Sequence, residues 1–244
     1  VRWMRDNYLI TPRPGRYALK PKVLDYHRAL RGEFRGAFTE HFGPPRELSE
    51  TAEFNERHRM IAASAQKAFE EVVLDLSADL KRRTGLPYLA IAGGCGLNCV
   101  ANGRILLSHL FEQVYVPPVP HDAGGSIGAA MLLFSQLTGR RPQPIEHAQF
   151  GPEFSNLDIE KVLIDFPELR GEQVNESALL ELAASSLARG EVVSWMQGRM
   201  EYGPRALGNR SFLADPRNDS IRDSINAKIK KRELFRPFAP SVKA

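Results

Sequence analysis

The stretch "LPYLAIAGGCGLNCVANGRILLSHL", Leu86 to Leu110, decides how the first half of the chain is read. Leu89 to Ala92 is a short apolar run of the kind that forms a buried parallel strand. Gly93-Gly94 breaks it, and from Asn98 to Leu110 apolar residues return at helical spacing. A strand feeding a glycine pair and then a helix N-terminus gathers backbone N–H groups that can meet a phosphate or a ribose. Close packing of strand on helix also favours glycine, so this pattern alone leaves both uses open.

The next stretch, "FEQVYVPPVPHDAGGSIGAAMLLF" (Phe111 to Phe134), repeats the grammar. Val114 to Val116 reads as a strand and the prolines as a loop. A helix then starts at Asp122, where Gly124, Gly125, Gly128, Ala129 and Ala130 permit close packing. Alternating strand and helix predicts an α/β fold. Asp122 reads either as the N-cap of that helix or as a carboxylate facing a cleft and binding a cation. His121 beside it is a ligand or a loop histidine. No pair of the six histidines has H-x-x-x-H spacing, so no complete metal site is present. Cys95 and Cys99, the only cysteines, have no second pair and support neither a zinc site nor a disulfide framework.

Upstream, residues 1–50 are rich in Arg, Pro and Gly, with "TPRPGR" and "FGPPREL" as breakers, and read as an extended, irregular segment. From Phe54 to about Arg83, Ile61, Ala65, Ala68, Phe69, Val72, Val73, Leu76 and Leu80 form one apolar stripe on a long helix. Downstream, "GRRPQPIEHAQFGPEFSN", residues 139–156, has no periodicity and is the linker candidate. It predicts a break between about residues 140 and 170, dividing the chain into 1–150 and 151–244. Ala178 to Arg189 then reads as a helix ended by Gly190, and Val192 to Met196 as a strand.

The second half turns on "GRMEYGPRALGNRS", Gly198 to Ser211. Glycine takes φ > 0 without strain, and arginine offers a planar fork that matches phosphate and carboxylate. Arg199, Arg205 and Arg210 among Gly198, Gly203 and Gly208 therefore read as a loop that holds an anion. Beyond it, Ile221, Ile225 and Ile229 mark a helical stripe, with Lys228, Lys230, Lys231 and Arg232 around its end. A cationic last turn suits the helix dipole, so part of that cluster has a structural use.

Composition narrows the field. A 244-residue chain with 43% hydrophobic and 25% charged residues is ordinary for a globular protein. A net charge of +4 is compatible with anionic ligands and too weak to argue for nucleic acid. No apolar run is long enough to span a membrane, and no signal-peptide h-region opens the chain, so cytoplasmic is the default. The start at Val1 and the stop at "RPFAPSVKA" read as the ends of a fragment.

Four blocks, "AGGCGLNCVANGRIL", "HDAGGSIGAA", "GRMEYGPRALGNRS" and "KKRELFRPFAPS", occur in an order that resembles the O-carbamoyltransferases of the nodulation-factor and antibiotic-tailoring type. The likeness covers roughly Leu89 to the C-terminus. Cys95-Gly96 and Gly125-Ser126 stand where that family usually has Val-Ala and Thr-Ala. The resemblance implies the second half of an actin-like ATPase-type domain, similar to the threonylcarbamoyl-transfer enzymes, followed by a truncated α/β domain that makes carbamoyl adenylate. It implies carbamoyl phosphate as donor, ATP as co-substrate, a divalent metal (iron) and a small-molecule hydroxyl acceptor.

On that resemblance Arg205, Lys230 and Arg236 are the catalytic groups, with Arg199, Asn209 and Arg210 binding substrate. Gly93, Gly94 and Asn98 would hold the nucleotide, and Asp122 would be one metal ligand. A pocket for a dianion and a triphosphate needs such cations, and its work is alignment and charge stabilisation. Nucleic acid and membrane are not expected as partners, and the exposed apolar and basic surface is compatible with a homodimer. Two rival readings are a threonylcarbamoyl-type enzyme of tRNA modification and a non-catalytic basic interaction module.

Overall fold

The computed structural model describes residues 1–20, 36–46 and 54–241. Helices and strands mix along the chain, which divides into two compact units, Val1–Gln143 and Pro144–Ala244.

The first unit opens with helix α1 (Arg2–Tyr8) and the antiparallel hairpin β1 (Leu9–Arg13) and β2 (Arg16–Leu19). Helix α2 (Gly36–Phe42) follows. The expectation of irregular chain over residues 1–50 is thus corrected for the described part. "TPRPGR" is a breaker that turns a hairpin. The hairpin is pinned to the long helix α3 (Glu56–Thr84), because the Tyr17 hydroxyl (2.6 Å) and the Gly15 N–H (3.0 Å) both donate to Asp75 Oδ2. Burial and then this carboxylate push the Tyr17 phenol up to about 12. The Tyr17 hydrogen bond, with that of Gly15, holds Asp75 below the usual carboxylate range. Trp3 stacks on His41 at 4.5 Å and meets Phe42 edge-on at 4.8 Å, tying α1 to α2.

Helix α3 starts in a capping box. The Asn55 side chain accepts from the His58 N–H, and the His58 ring accepts from the Asn55 N–H. It ends at Gly85, whose N–H reaches the Lys81 carbonyl at 2.8 Å. Next come strand β3 (Tyr88–Ala90), a 3₁₀ turn (Gly94–Leu97), helix α4 (Cys99–Leu107), strand β4 (Gln113–Tyr115) and helix α5 (Gly124–Thr138). β3 and β4 are parallel, with Leu89 opposite Val114. Ala101 and Ile105 of α4 are buried, as the helical spacing required, and so is Phe111, whose ring lies under the Lys81 ammonium of α3. α4 is clamped to α3 by Glu70, which accepts from Gln66 (3.0 Å) and pairs with Arg104 (3.2 Å).

The second unit holds helices α6 (Asn156–Asp165) and α7 (Glu176–Ala188), and the antiparallel pair β5 (Val193–Met196) and β6 (Arg210–Leu213). Helix α8 (Ile221–Ser224) runs into a π-helical turn, Ile225–Ile229. Three expectations change here. The segment 139–156 is irregular, but its latter part is hydrogen-bonded to the arginine-rich stretch. The Gly151 N–H reaches the Met200 carbonyl, the Met200 N–H the Pro152 carbonyl, and the Tyr202 N–H the Ala148 carbonyl. Arg210 and Ser211 lie on a strand rather than a loop. The isoleucine stripe winds as a π turn, so Ile225 is buried while Ile229 is partly exposed.

Candidate functional site

In the first unit the two βα connections meet at the carboxyl ends of β3 and β4. The Gly93 N–H donates to the Pro120 carbonyl at 2.7 Å, which brings the glycine pair beside the His121-Asp122 loop. Crevices at the carboxyl ends of parallel strands are where α/β folds take ligands. A Cβ built on Gly93 or Gly94 would meet nothing within 4 Å, so these glycines face open space rather than serving tight packing. The packing role belongs to Gly124, whose Cβ would fall 2.1 Å from the Val119 carbonyl oxygen. Gly125 and Gly128 have no such neighbour, which corrects the expectation for them.

Asn98 has several structural duties. Its Oδ1 accepts from the Ala101 N–H (3.1 Å), capping α4, and from Gln66 Nε2 (3.2 Å). Its Nδ2 donates to Gln66 Oε1 at 2.9 Å. Asp122 is exposed and does not cap α5: the N-cap position is Ala123, and no side chain caps it. His121 Nδ1 accepts from the Ala123 N–H at 3.2 Å, and Nε2 is buried without a partner among the described residues. No group of three metal-ligating side chains occurs among those residues. Asp122 is thus the one exposed carboxylate at this loop that could join the implied metal's ligand set, and no step is derived through the metal.

The second unit answers the question posed by "GRMEYGPRALGNRS". Gly203 and Gly208 take φ of +131° and +114°, conformations that favour glycine, and the chain folds back on itself. The anion held by the backbone is internal. Glu201 Oε1 accepts from the N–H groups of Leu207 (2.6 Å), Asn209 (2.8 Å) and Arg210 (3.4 Å). Burial pushes the Glu201 carboxyl up, but those N–H groups outweigh it and hold it below its ordinary value.

Asn209, only 7% exposed, fastens the base of the loop. Its Nδ2 donates to the Arg199 carbonyl (2.8 Å), and its Oδ1 accepts from Gln149 Nε2 (3.1 Å). Its side chain therefore supports the loop. Arg199, Arg205 and Arg210 are exposed and form no ion pair among the described residues.

Arg210 and Phe212 alternate along β6 and so share its exposed face. The Lys230 ammonium lies 4.7 Å from the centre of the Phe212 ring, which brings it to that face. Arg236 is engaged with Glu233 at 2.8 Å. The turn bearing Lys230 and Arg236 is organised by Asn226, fully buried at 0% exposure. Asn226 Nδ2 donates to the carbonyls of Leu234 (3.1 Å) and Arg236 (2.9 Å), and its Oδ1 accepts from Arg232 Nε (2.7 Å). Sequence reasoning missed Glu201 and Asn226. Glu201 carried a signal, as the one carboxylate inside a glycine-arginine motif; Asn226 carried none.

The chain belongs to the carbamoyltransferase family. Residues 14–131 match the family model described as carbamoyltransferase N-terminus, and residues 184–244 the one described as carbamoyltransferase C-terminus. An uncharacterized protein of Synechocystis sp. is 41% identical over 98% of this chain and 40% of its own length. Nodulation protein NolO of Bradyrhizobium diazoefficiens is 41% identical over 78% of the chain and 35% of its own. The 3'-hydroxymethylcephem-O-carbamoyltransferase of Streptomyces clavuligerus is 38% identical over 70% and 31%. The chain thus spans two fifths or less of each of these relatives.

Proposed function

We propose that this chain serves an ATP-dependent O-carbamoyltransferase. Its second unit belongs to the part that forms carbamoyl adenylate from carbamoyl phosphate and ATP, and its first to the part that passes the carbamoyl group to a hydroxyl of a small-molecule acceptor. By atom count, adenylate formation consumes one water and releases phosphate and pyrophosphate, and transfer releases AMP. The observation that carries the reading is the set of exposed guanidiniums, Arg199, Arg205 and Arg210, without ion pairs among the described residues, with Lys230 on the face of β6 that Arg210 shares. Bidentate guanidinium contacts orient a phosphate, and the lysine supplies a movable point charge. Arg236 joins them by exchanging Glu233 for phosphate. Arg199, Asn209 and Arg210 shape the substrate side, Asn209 through the backbone it holds.

In the first unit the open space before Gly93 and Gly94 suits the nucleotide part of the adenylate, with Asn98 holding the helix start behind it. We assign this unit to the actin-like ATPase type and Asp122 to the metal-ligand position of the family, with no role derived for the metal. No helix among the described residues is long and apolar enough to cross a membrane, and we place the enzyme in the cytoplasm. A homodimer accords with the exposed apolar side chains of α5 and α7. The test is pyrophosphate release by the full-length protein with labelled ATP. Release that requires carbamoyl phosphate supports the reading, and release independent of it opposes it. Binding of tRNA that survives physiological salt would favour the tRNA-modification alternative.

A further inference from the structure

Glu201 is the one acidic side chain between Gly198 and Ser211, and it faces the loop's own backbone rather than the arginines. We propose that Glu201 is a positioning residue: its carboxylate closes the loop from Glu201 to Leu207 and so presets the backbone from which Arg205 meets phosphate. This rests on the adenylate-forming role proposed above.

The geometry distinguishes this role from that of a surface charge. A single oxygen, Oε1, gathers three N–H groups from successive parts of the turn, and the shortest contact, 2.6 Å to Leu207, ties the far side of the loop to its start. Gly203, Pro204 and Arg205 form the tip that this contact encloses. The glycines at 203 and 208 give that tip more open conformations than any other residue type would, and a guanidinium carried on an unrestrained tip must be ordered each time substrate binds. A carboxylate is acceptor-only and strengthens each bond by its charge, so it can satisfy three donors at once. Glu201 forms no ion pair with an arginine among the described residues. The amides of Leu207, Asn209 and Arg210 are taken by Glu201, which leaves the guanidinium side chains of the loop to face a bound phosphate.

Leu207 and Arg210 are exposed, so Glu201→Ala leaves their N–H groups to water; the buried Asn209 N–H loses its acceptor at some cost in stability, and Arg205 loses its preset position. In the full-length protein, Glu201→Ala should lower carbamoyl phosphate-dependent pyrophosphate release about ten- to a hundredfold at a temperature where circular dichroism shows the variant folded. Glu201→Gln retains an acceptor oxygen and should recover part of that loss. The discriminating measurement is a double-mutant cycle with Arg205→Ala. If Glu201 acts through Arg205, adding Glu201→Ala to Arg205→Ala costs nothing further. Additive losses, or parental release by a folded Glu201→Ala chain, would overturn the proposal. No release by the unsubstituted full-length protein would instead count against the adenylate-forming role itself.

Discussion

Asn226→Ala is the substitution with the largest effect that the geometry of the second unit allows to be worked out. The side chain is fully buried and makes two neutral bonds, to the carbonyls of Leu234 and Arg236, and one charge-assisted bond from Arg232. Each neutral bond is worth about 1 kcal/mol net, and a bond to a charged group roughly 2. Arg232 is half-exposed and finds water when its partner goes, so its share falls towards the lower figure. The total is about 3 kcal/mol. For a chain of this length that corresponds to a fall in melting temperature of about 6–12 °C. The same bonds fix the backbone between Lys230 and Arg236, so pyrophosphate release should fall even well below the transition. Thermal melting by circular dichroism, with release assayed on the folded protein, measures both. A shift under about 2 °C with unchanged release would refute the claim that Asn226 organises the cationic turn.

Gly124→Ala should destabilise the first unit by about 1–3 kcal/mol, because the added Cβ meets the Val119 carbonyl at 2.1 Å; denaturant unfolding against the parent checks it. Asp122→Ala should change stability by less than about 0.5 kcal/mol in the same assay, since Asp122 is not the cap of α5. Tyr17 has a folded-state value of about 12 against an ordinary 10, so its contribution is complete below pH 10 and is lost as pH rises towards 12. Asp75, held below its ordinary 3.8, contributes above that value and loses its contribution as pH falls through the depressed one. Tyr17→Phe should therefore flatten the alkaline limb of a stability-against-pH curve.

Local pattern made the first unit's central elements legible: the stripe from Ile61 to Leu80 is α3, and the runs around Leu89 and Val114 are the paired strands. Near Ala178 and Val193 the same spacing located α7 and β5. What escaped was structure set by contacts distant in sequence. The hairpin of residues 9–19 needs Asp75 on α3, and β6 was hidden because "NRSFL" has too few residues for a period. Helix α6 was missed although Ser155 and Asp158 spell its capping box. At the candidate site, arginine and glycine announced an anion, but spacing cannot say which atoms reach it. Only the folded chain shows the amides occupied by Glu201 and Asp122 left off the helix cap.

The central claim is that Arg205 recognises phosphate through its shape. Arg205→Lys keeps the charge and loses the bidentate fork. Carbamoyl phosphate-dependent pyrophosphate release, measured for this variant against the unsubstituted full chain with melting temperature as control, should fall about ten- to a hundredfold with the fold intact. Undiminished release by a well-folded Arg205→Lys protein would remove Arg205 from the site and contradict the account.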